Sequence, residues 1–484
     1  MIAWTIYLTF AGAAVTLLLP RILSRWIALA TALAGLGLGL GAFFGTAINS
    51  AHFTTIIRVP WIPAIGSSYH LAADGISLTM VLVTGVTAVG AVLFSWKVAE
   101  RPNEFFFWLL LVVAGSYGVF LSGDLFLLFV FYELVIIPKY FLIAIWGSTN
   151  KEYGAMKLTL YSFFGGALVF IGILLIYASA GSFDLEVLAR FPFDLRTQLI
   201  AFPILFIGFA VLAGIWPLHT WAPTGHVAAP TAGSMLLAGI VMKLGAYGAL
   251  RVALNLLPLG FFAWQKWIAV LAVIGIVYAA AVALRQSDLK FVIGYSSVSH
   301  MGFVLLGLAA GNVLGVSGAV LQMFSHGVIG ALLFAIAGAV YYRTHTRNLD
   351  DLARLHLSRA LPFLTFAFVM ASAASMGIPG FSGFAAEITI LIGVWKAFPV
   401  AVWITGVGMI LVAAFTLRAL KRAFFGEERP QVWAESELPN DSATLAEKIG
   451  ATLLIFATLV VGLYPKLLFD RIMPAVETMR FLQR

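Results

Sequence analysis

Two glutamates, two lysines and a histidine lie in stretches that are otherwise almost wholly apolar. Lys243 sits in PTAGSMLLAGIVMKLGAYGALR, with no other charge from Pro230 to Ala249. Glu133 and Lys139 share LFLLFVFYELVIIPKYFLIAIWG, His326 is central in AVLQMFSHGVIGALLF, and Glu387 follows the interrupted string SMGIPGFSGFAAEITILIG. A charge placed in a bilayer costs at least a few kcal/mol and is kept mainly for moving ions or protons. Hydrocarbon disfavours the charged form of carboxylates and amines alike, which poises both to exchange a proton. Imidazole passes protons near neutral pH. These residue types therefore support a proton relay. The competing role is a static ion pair that locks helices together. The cost of intramembrane charge favours the relay for Glu133, Lys243, His326 and Glu387. His219, His226 and His300 lie near breaks or ends of apolar runs, where a structural hydrogen bond stands level with a relay role.

Other chemistries find less support. His219 and His226 lack the i, i+4 spacing of a helical metal site. A haem would need axial ligands facing one another across helices. The chain has no cysteine, which excludes ordinary iron–sulfur ligation and disulfides. Its glycine strings read as helix-packing sequences, not as phosphate loops. Asp74 and Asp124 stand at span ends and read as helix caps. The formal charge of +8 is spread over loops, with no basic block for nucleic acid.

The elements that must hold these residues are membrane helices. Of 484 residues, 62% are hydrophobic and 10% charged, against about 25% charged in soluble domains. The expected fold is all-α and polytopic, a single integral domain over residues 1–484. Runs of about 20 apolar residues give about fourteen spans. Their centres fall near Thr9, Gly37, Gly85, Val113, Ile136, Val169, Val211, Gly239, Gly275, Leu305, Gly330, Ala371, Leu411 and Ile455. The first run reads as a retained helix, since it lacks a basic leader and a clear cleavage site. The longest polar connections are roughly 182–198, 343–361 and 424–447. Connections on the side of the first one carry 17 Lys and Arg against 10 on the other. That bias puts the first connection in the cytoplasm and both termini outside. The seventh span breaks at Gly214-Ile215-Trp216-Pro217 and the twelfth at Gly377, Pro379, Gly380 and Gly383. An offset of five spans makes the second unit enter from the opposite side, as in inverted repeats with broken helices. The two repeats are expected at roughly 105–256 and 267–424, flanked by helices in 1–98 and 445–465.

Taken together, YHLAADGISLTMVLVT, YELVIIPKYFLIAIWG, PLHTWAP, HVAAPTAGSMLLAGIVMKLGAYGALR, QSDLKFVIGYSSVSHMGFVLLG, QMFSHG, YYRTHTRNLDDL and GIPGFSGFAAEITIL resemble the antiporter-like subunits of respiratory complex I. The nearest branch is the subunit M or chain 4 branch of NADH–quinone oxidoreductase. The strings run from about residue 70 to 426 and are specific in combination. The resemblance implies a proton-translocating membrane subunit whose partners carry NADH, flavin, iron–sulfur clusters and quinone, with no cofactor in this chain. It implies antiporter-like neighbours, contact with the lateral helix of an L-type subunit, and a bacterial-type inner membrane. It implies Glu133 as the fifth-span glutamate, Lys243 as the eighth-span bridging lysine, His326 as the eleventh-span relay histidine and Glu387 as the twelfth-span carboxylate on the exit side. Glutamate at 387, where L- and N-type subunits and Mrp chains usually have lysine, favours the M branch. The alternatives are an Mrp-type cation/proton antiporter subunit and the membrane subunit of a hydrogenase or formate-linked complex.

Some positions depart from the family pattern. The seventh-span lysine falls on Leu212, so the partner expected for Glu133 is missing. Lys139 stands where the family usually has an uncharged residue, and is the candidate replacement. Along an ideal helix it lies about 9 Å of rise and about 120° from Glu133, which is not an i, i+4 pair. Thr224-Gly225 replaces a common Asp-Ala pair, and Ala386 a common glycine.

Overall fold

The structure is a computed structural model that describes residues 1–45, 48–426 and 442–483. Arg429 and most of the expected polar connection 424–447 lie outside the described residues. Twelve helices among the described residues are long and apolar enough to cross a membrane. In chain order they are Arg21–Phe44, Gly75–Leu93, Pro102–Leu121, Leu125–Trp146, Lys151–Ala180, Leu195–Ala213, Thr231–Leu254, Pro258–Arg285, Leu289–Ala309, Val313–Thr344, Pro399–Phe424 and Leu445–Leu463. Two further apolar helices, Trp4–Leu18 and Pro362–Ser375, are shorter than a full span. Counting these two as the first and twelfth keeps the ordinals used above.

The molecule is helical apart from a feature the apolar counting missed. Thr54–Ile62 and Ser67–Ala73 form an antiparallel hairpin between the second and third spans. β-Branched Thr54, Thr55, Ile56, Ile57 and Val59 favour the strand, and Gly66 supplies a left-handed turn residue at φ 72°.

The third, eighth and eleventh spans are buried along their whole apolar length and form the centre. The sixth, ninth and thirteenth present apolar side chains such as Phe163, Trp267 and Ile410 outward. Glycine sets the closest approach in the middle. A Cβ on Gly327 would lie 2.8 Å from the Gly239 carbonyl oxygen and 2.5 Å from Val83. Only glycine lets the eleventh span come that close to the eighth, and His326 is the residue beside it.

Both expected helix breaks are present. Leu195–Ala213 stops at Gly214 (φ 85°), and the chain restarts as Trp221–Ala228. Pro362–Ser375 stops before Gly377 (φ 69°) and Gly380 (φ 100°), and restarts as Ser382–Ala397.

The same pair of contacts, between the start of one span and the end of the next, recurs five spans later. The Leu125 amide bonds Phe183 O and the Leu185 amide bonds Gly123 O, at 2.8 and 2.9 Å. The Leu289 amide bonds Arg347 O and the Leu349 amide bonds Ser287 O, at 2.9 and 2.8 Å. Asp124, Asp184, Asp288 and Asn348 each cap the helix that follows them. Asp74 caps the third span in the same way.

The connections gather in two sets. On the side of the first connection, Ser148 meets the Ala228 carbonyl, Arg347 meets Asp288, and Arg418 meets the Gln286 carbonyl. On the other side, Arg58 and His70 of the hairpin meet Asp184, and Arg480 meets Asn255 and the Phe191 carbonyl.

Candidate proton-relay site

The eighth span is not a uniform α-helix. Leu237–Val241 and Ala249–Leu254 are π-helical turns on either side of Met242–Gly248. Such turns loosen the backbone ladder and recur at functional sites. Lys243 follows the first of them. It is fully buried, and its ammonium donates to the Ala238 carbonyl within that turn. Its second partner is His326, with Nζ 2.8 Å from Nδ1.

From His326 the polar groups continue as a row. The His326 and His300 rings stack with centroids 5.6 Å apart. His300 Nδ1 lies 3.2 Å from Glu387 Oε1, and Nε2 lies 3.1 Å from Ser375 Oγ. Gln322 Nε2 is 3.4 Å from the same Nδ1. Glu387 is positioned by the second break, where a Cβ on Gly377 would stand 2.9 Å from Oε2. The Ser382 hydroxyl ties that helix to Ser325 and Thr458, each at 2.8 Å. Lys243, His326 and Glu387 thus lie in one row. His300 joins them, and the sequence had left its role open.

The remaining candidates separate from the row. His226 is buried and stacks on Phe334 at 4.4 Å, with neither ring nitrogen hydrogen-bonded among the described residues. His219 lies between the Tyr278 and Tyr295 rings, also with both nitrogens unbonded. Glu133 lies against Gly166 of the sixth span, where a Cβ would fall 2.0 Å from Oε1. Lys139 is 3% exposed. The two groups act on each other electrostatically, yet form no ion pair within 4.0 Å among the described residues. Leu212 is buried in the apolar core, so no cation enters from that point of the seventh span.

Four cations counted with the connections, Arg251, Lys290, Arg343 and Arg347, are in fact buried. Arg251 is paired with Asp74 at 2.6 Å and faces the Phe53 and Tyr247 rings. Tyr247, one turn after Lys243, bonds Ser77 at 3.1 Å and donates to the Phe120 carbonyl at 3.0 Å. Lys290 is buried and donates to the Ala229 carbonyl at 2.9 Å. Their position in the chain, near span ends, hid their burial. For Arg251 the signal available was Asp74 as a prospective partner, which requires the fold.

Comparison with known proteins decides the lineage. The family model described as NADH:quinone oxidoreductase/Mrp antiporter, transmembrane, matches residues 122–413. The chain belongs to this antiporter family. It is 38% identical over 452 residues to an NAD(P)H-quinone oxidoreductase chain 4 of Synechococcus elongatus, covering 92% of this chain and 84% of the relative. It is 36% identical to a chain 4 of Thermosynechococcus vestitus, covering 91% and 84%. Among solved structures, a chain of respiratory complex I from Thermus thermophilus superposes with a TM-score of 0.91 at 26% identity over 100% of both chains. A chain of the Mrp complex from Dietzia shares the fold, with a TM-score of 0.85 at 22% identity, covering 100% of this chain and 52% of that one. The antiporter-family match spans both broken helices and the entire Lys243–Glu387 row.

Proposed function

We propose that this chain is a proton-translocating membrane subunit of a complex I type NADH:quinone oxidoreductase. The observation that carries the reading is the buried row Lys243–His326–His300–Glu387 in a chain 38% identical to an oxidoreductase chain 4. In this reading Lys243 Nζ holds the proton. His326 Nδ1, 2.8 Å away, accepts it. The imidazole then releases a proton from its other nitrogen, which has no hydrogen-bond partner among the described residues, toward the stacked His300 ring. His300 hands it to Glu387, beside the broken twelfth span, and Glu387 connects to the outer face. Electron transfer from NADH to quinone through flavin and iron–sulfur clusters belongs to partner subunits, and this chain contributes the proton pathway.

Glu133 and Lys139 set the charge around Lys243, Lys139 taking the place of the positive charge absent at Leu212. Through-space coupling is large enough for that. Unit charges about 10 Å apart interact by about 1.7 kcal/mol at an effective dielectric of about 20, more than one pKa unit. The chain sits among antiporter-like neighbours and the lateral helix of an L-type subunit in a bacterial-type inner membrane, with both termini outside. Spans 4–8 and 9–13 are inverted repeats within one integral domain. The equivalent cap contacts at Asp124–Asp184 and Asp288–Asn348, on opposite faces, support that reading.

The test is to tag the chain, extract it in mild detergent and identify what copurifies. NADH-oxidising, quinone-reducing partners are expected. Recovery with Mrp chains and sodium-driven transport would replace the proposal with antiport, and hydrogenase partners would change the electron donor.

A further inference from the structure

One polar row leaves Lys243 toward Glu387, and a second leaves it toward the face that carries the hairpin. Lys243, Tyr247 and Arg251 recur every four residues along the eighth span and share one face of it. Eight residues of helix rise only about 12 Å. The third span meets this face with Ser77 and Asp74. Tyr247 Oη lies 3.1 Å from Ser77 Oγ, the Ser77 amide donates to Asp74 Oδ1 at 3.0 Å, and Arg251 Nη2 donates to Asp74 Oδ2 at 2.6 Å. Tyr247, Ser77, Asp74 and Arg251 are all buried.

Asp74 has a place in the fold that is independent of protons. It directly follows the hairpin strand Ser67–Ala73, and its Oδ1 caps the third span by accepting from the Ile76 and Ser77 amides. A carboxylate reached from Lys243 through two hydroxyls is nevertheless a proton acceptor, and it stands at the hairpin face. Arg251 takes it out of that role. The guanidinium occupies Oδ2, so both carboxylate oxygens are engaged. Unlike an ammonium or an imidazole, a guanidinium does not give up its proton in a protein, so it cannot pass one on and never ceases to repel one. It is held against the Phe53 ring at 4.6 Å and the Tyr247 ring at 5.4 Å. Tyr247 directs its hydroxyl proton at the Phe120 carbonyl, 3.0 Å away, a backbone acceptor that hands nothing on.

We propose that Arg251 is an insulator: by holding Asp74 in a fixed ion pair beside Tyr247, it closes a direct route between Lys243 and the hairpin face, so that protons on Lys243 leave only through His326. The proposal rests on Lys243 being the proton-carrying amine. No group of this second row changes its protonation in the parent. Without the guanidinium charge, Asp74 Oδ2 is open to a proton. Tyr247 then takes one proton from the Lys243 side as it releases its own through Ser77 to Asp74, and the gradient runs down through the chain.

The experiment uses the intact complex in proteoliposomes without NADH, with an imposed pH gradient, valinomycin and potassium to clamp the potential, and a trapped pH dye. Arg251→Gln keeps a hydrogen-bond donor for Asp74 but removes the charge, and Arg251→Leu removes both. Each is expected to collapse the gradient at least threefold faster than the parent. Tyr247→Phe combined with Arg251→Gln takes away the hydroxyl without repairing the charge, and is expected to return the rate to that of the parent. Structural damage alone would leave this double variant at least as leaky as Arg251→Gln. Should Arg251→Leu fail to assemble, Arg251→Gln decides alone. A parental rate in Arg251→Gln, or a leak that survives Tyr247→Phe, would overturn the insulator. Lys243→Met combined with Arg251→Gln is expected to stop the leak, and a leak that survives it would overturn the route from Lys243. Pumping that survives Lys243→Met alone would refute the relay itself, whatever the leak shows.

Discussion

Gly166 offers a controlled way to displace one carboxylate. A methyl at this position would sit 2.0 Å from Glu133 Oε1 and 2.9 Å from its Cδ. Ordinary contact begins near 3.4 Å, so the carboxylate must retreat by about 1.4 Å. The sixth span itself gains, since alanine exceeds glycine in a helix interior by roughly 0.5–1 kcal/mol. Assembly should therefore be preserved. The functional cost depends on how Glu133 works. If it pairs directly with the Lys139 ammonium at about 4 Å, a shift of about 1.4 Å weakens the interaction by about 1.1 kcal/mol at an effective dielectric of about 20, close to a sixfold effect. If it acts only across about 10 Å, the same shift changes about 0.2 kcal/mol, or about 1.4-fold. Glu133 and Lys139 form no ion pair within 4.0 Å among the described residues, so the account predicts the smaller effect on proton uptake per quinone reduced in Gly166→Ala. Glu133→Asp withdraws the carboxylate by one C–C bond, about 1.5 Å, and clears the added methyl. The double variant should therefore be no worse than Glu133→Asp alone. A loss near sixfold in Gly166→Ala, relieved in the double variant, would refute this reasoning and establish direct pairing.

Further outcomes follow from the same geometry. His300→Phe keeps a ring but removes both nitrogens, and should cut the proton uptake that this chain contributes at least tenfold while quinone reduction persists in a coupled assay. Arg251→Leu leaves Asp74 charged and unpaired, and such a break costs about 3–5 kcal/mol. Thermal unfolding of the solubilised complex should show it, with partial recovery in Asp74→Asn combined with Arg251→Leu. Burial raises the Asp184 carboxyl, but the hydrogen bonds from His70 and the Val187 amide, with the His70 and Arg58 charges, outweigh it and hold it below its ordinary 3.8. Its contribution is then present above about 3.8 and lost as pH falls through the depressed value. The stability gap between the parent and Asp184→Asn, followed by thermal unfolding against pH, should close on acidification through that range.

Much of this architecture was legible because membrane helices announce themselves by length and apolarity. Both breaks were readable from glycine and proline, and Gly214, Gly377 and Gly380 do take left-handed conformations. Lys243, His326 and Glu387 stood out as polar groups in apolar strings. His300 did not, since its string SSVSH already contains hydroxyls and its value comes from Glu387 and His326 on other helices. Arg251, Lys290, Arg343 and Arg347 were read as connection charges because burial at a span end depends on neighbouring elements. The hairpin was passed over because a count of apolar runs ignores strand alternation. Lys139 was read as the candidate replacement for the cation missing at Leu212.

The most direct test of the central claim is proton uptake by the reconstituted complex carrying Lys243→Ala, recorded with its quinone reduction. The account predicts normal assembly, sustained quinone reduction and loss of the uptake that this chain contributes. Uptake per quinone equal to that of the parent would contradict it.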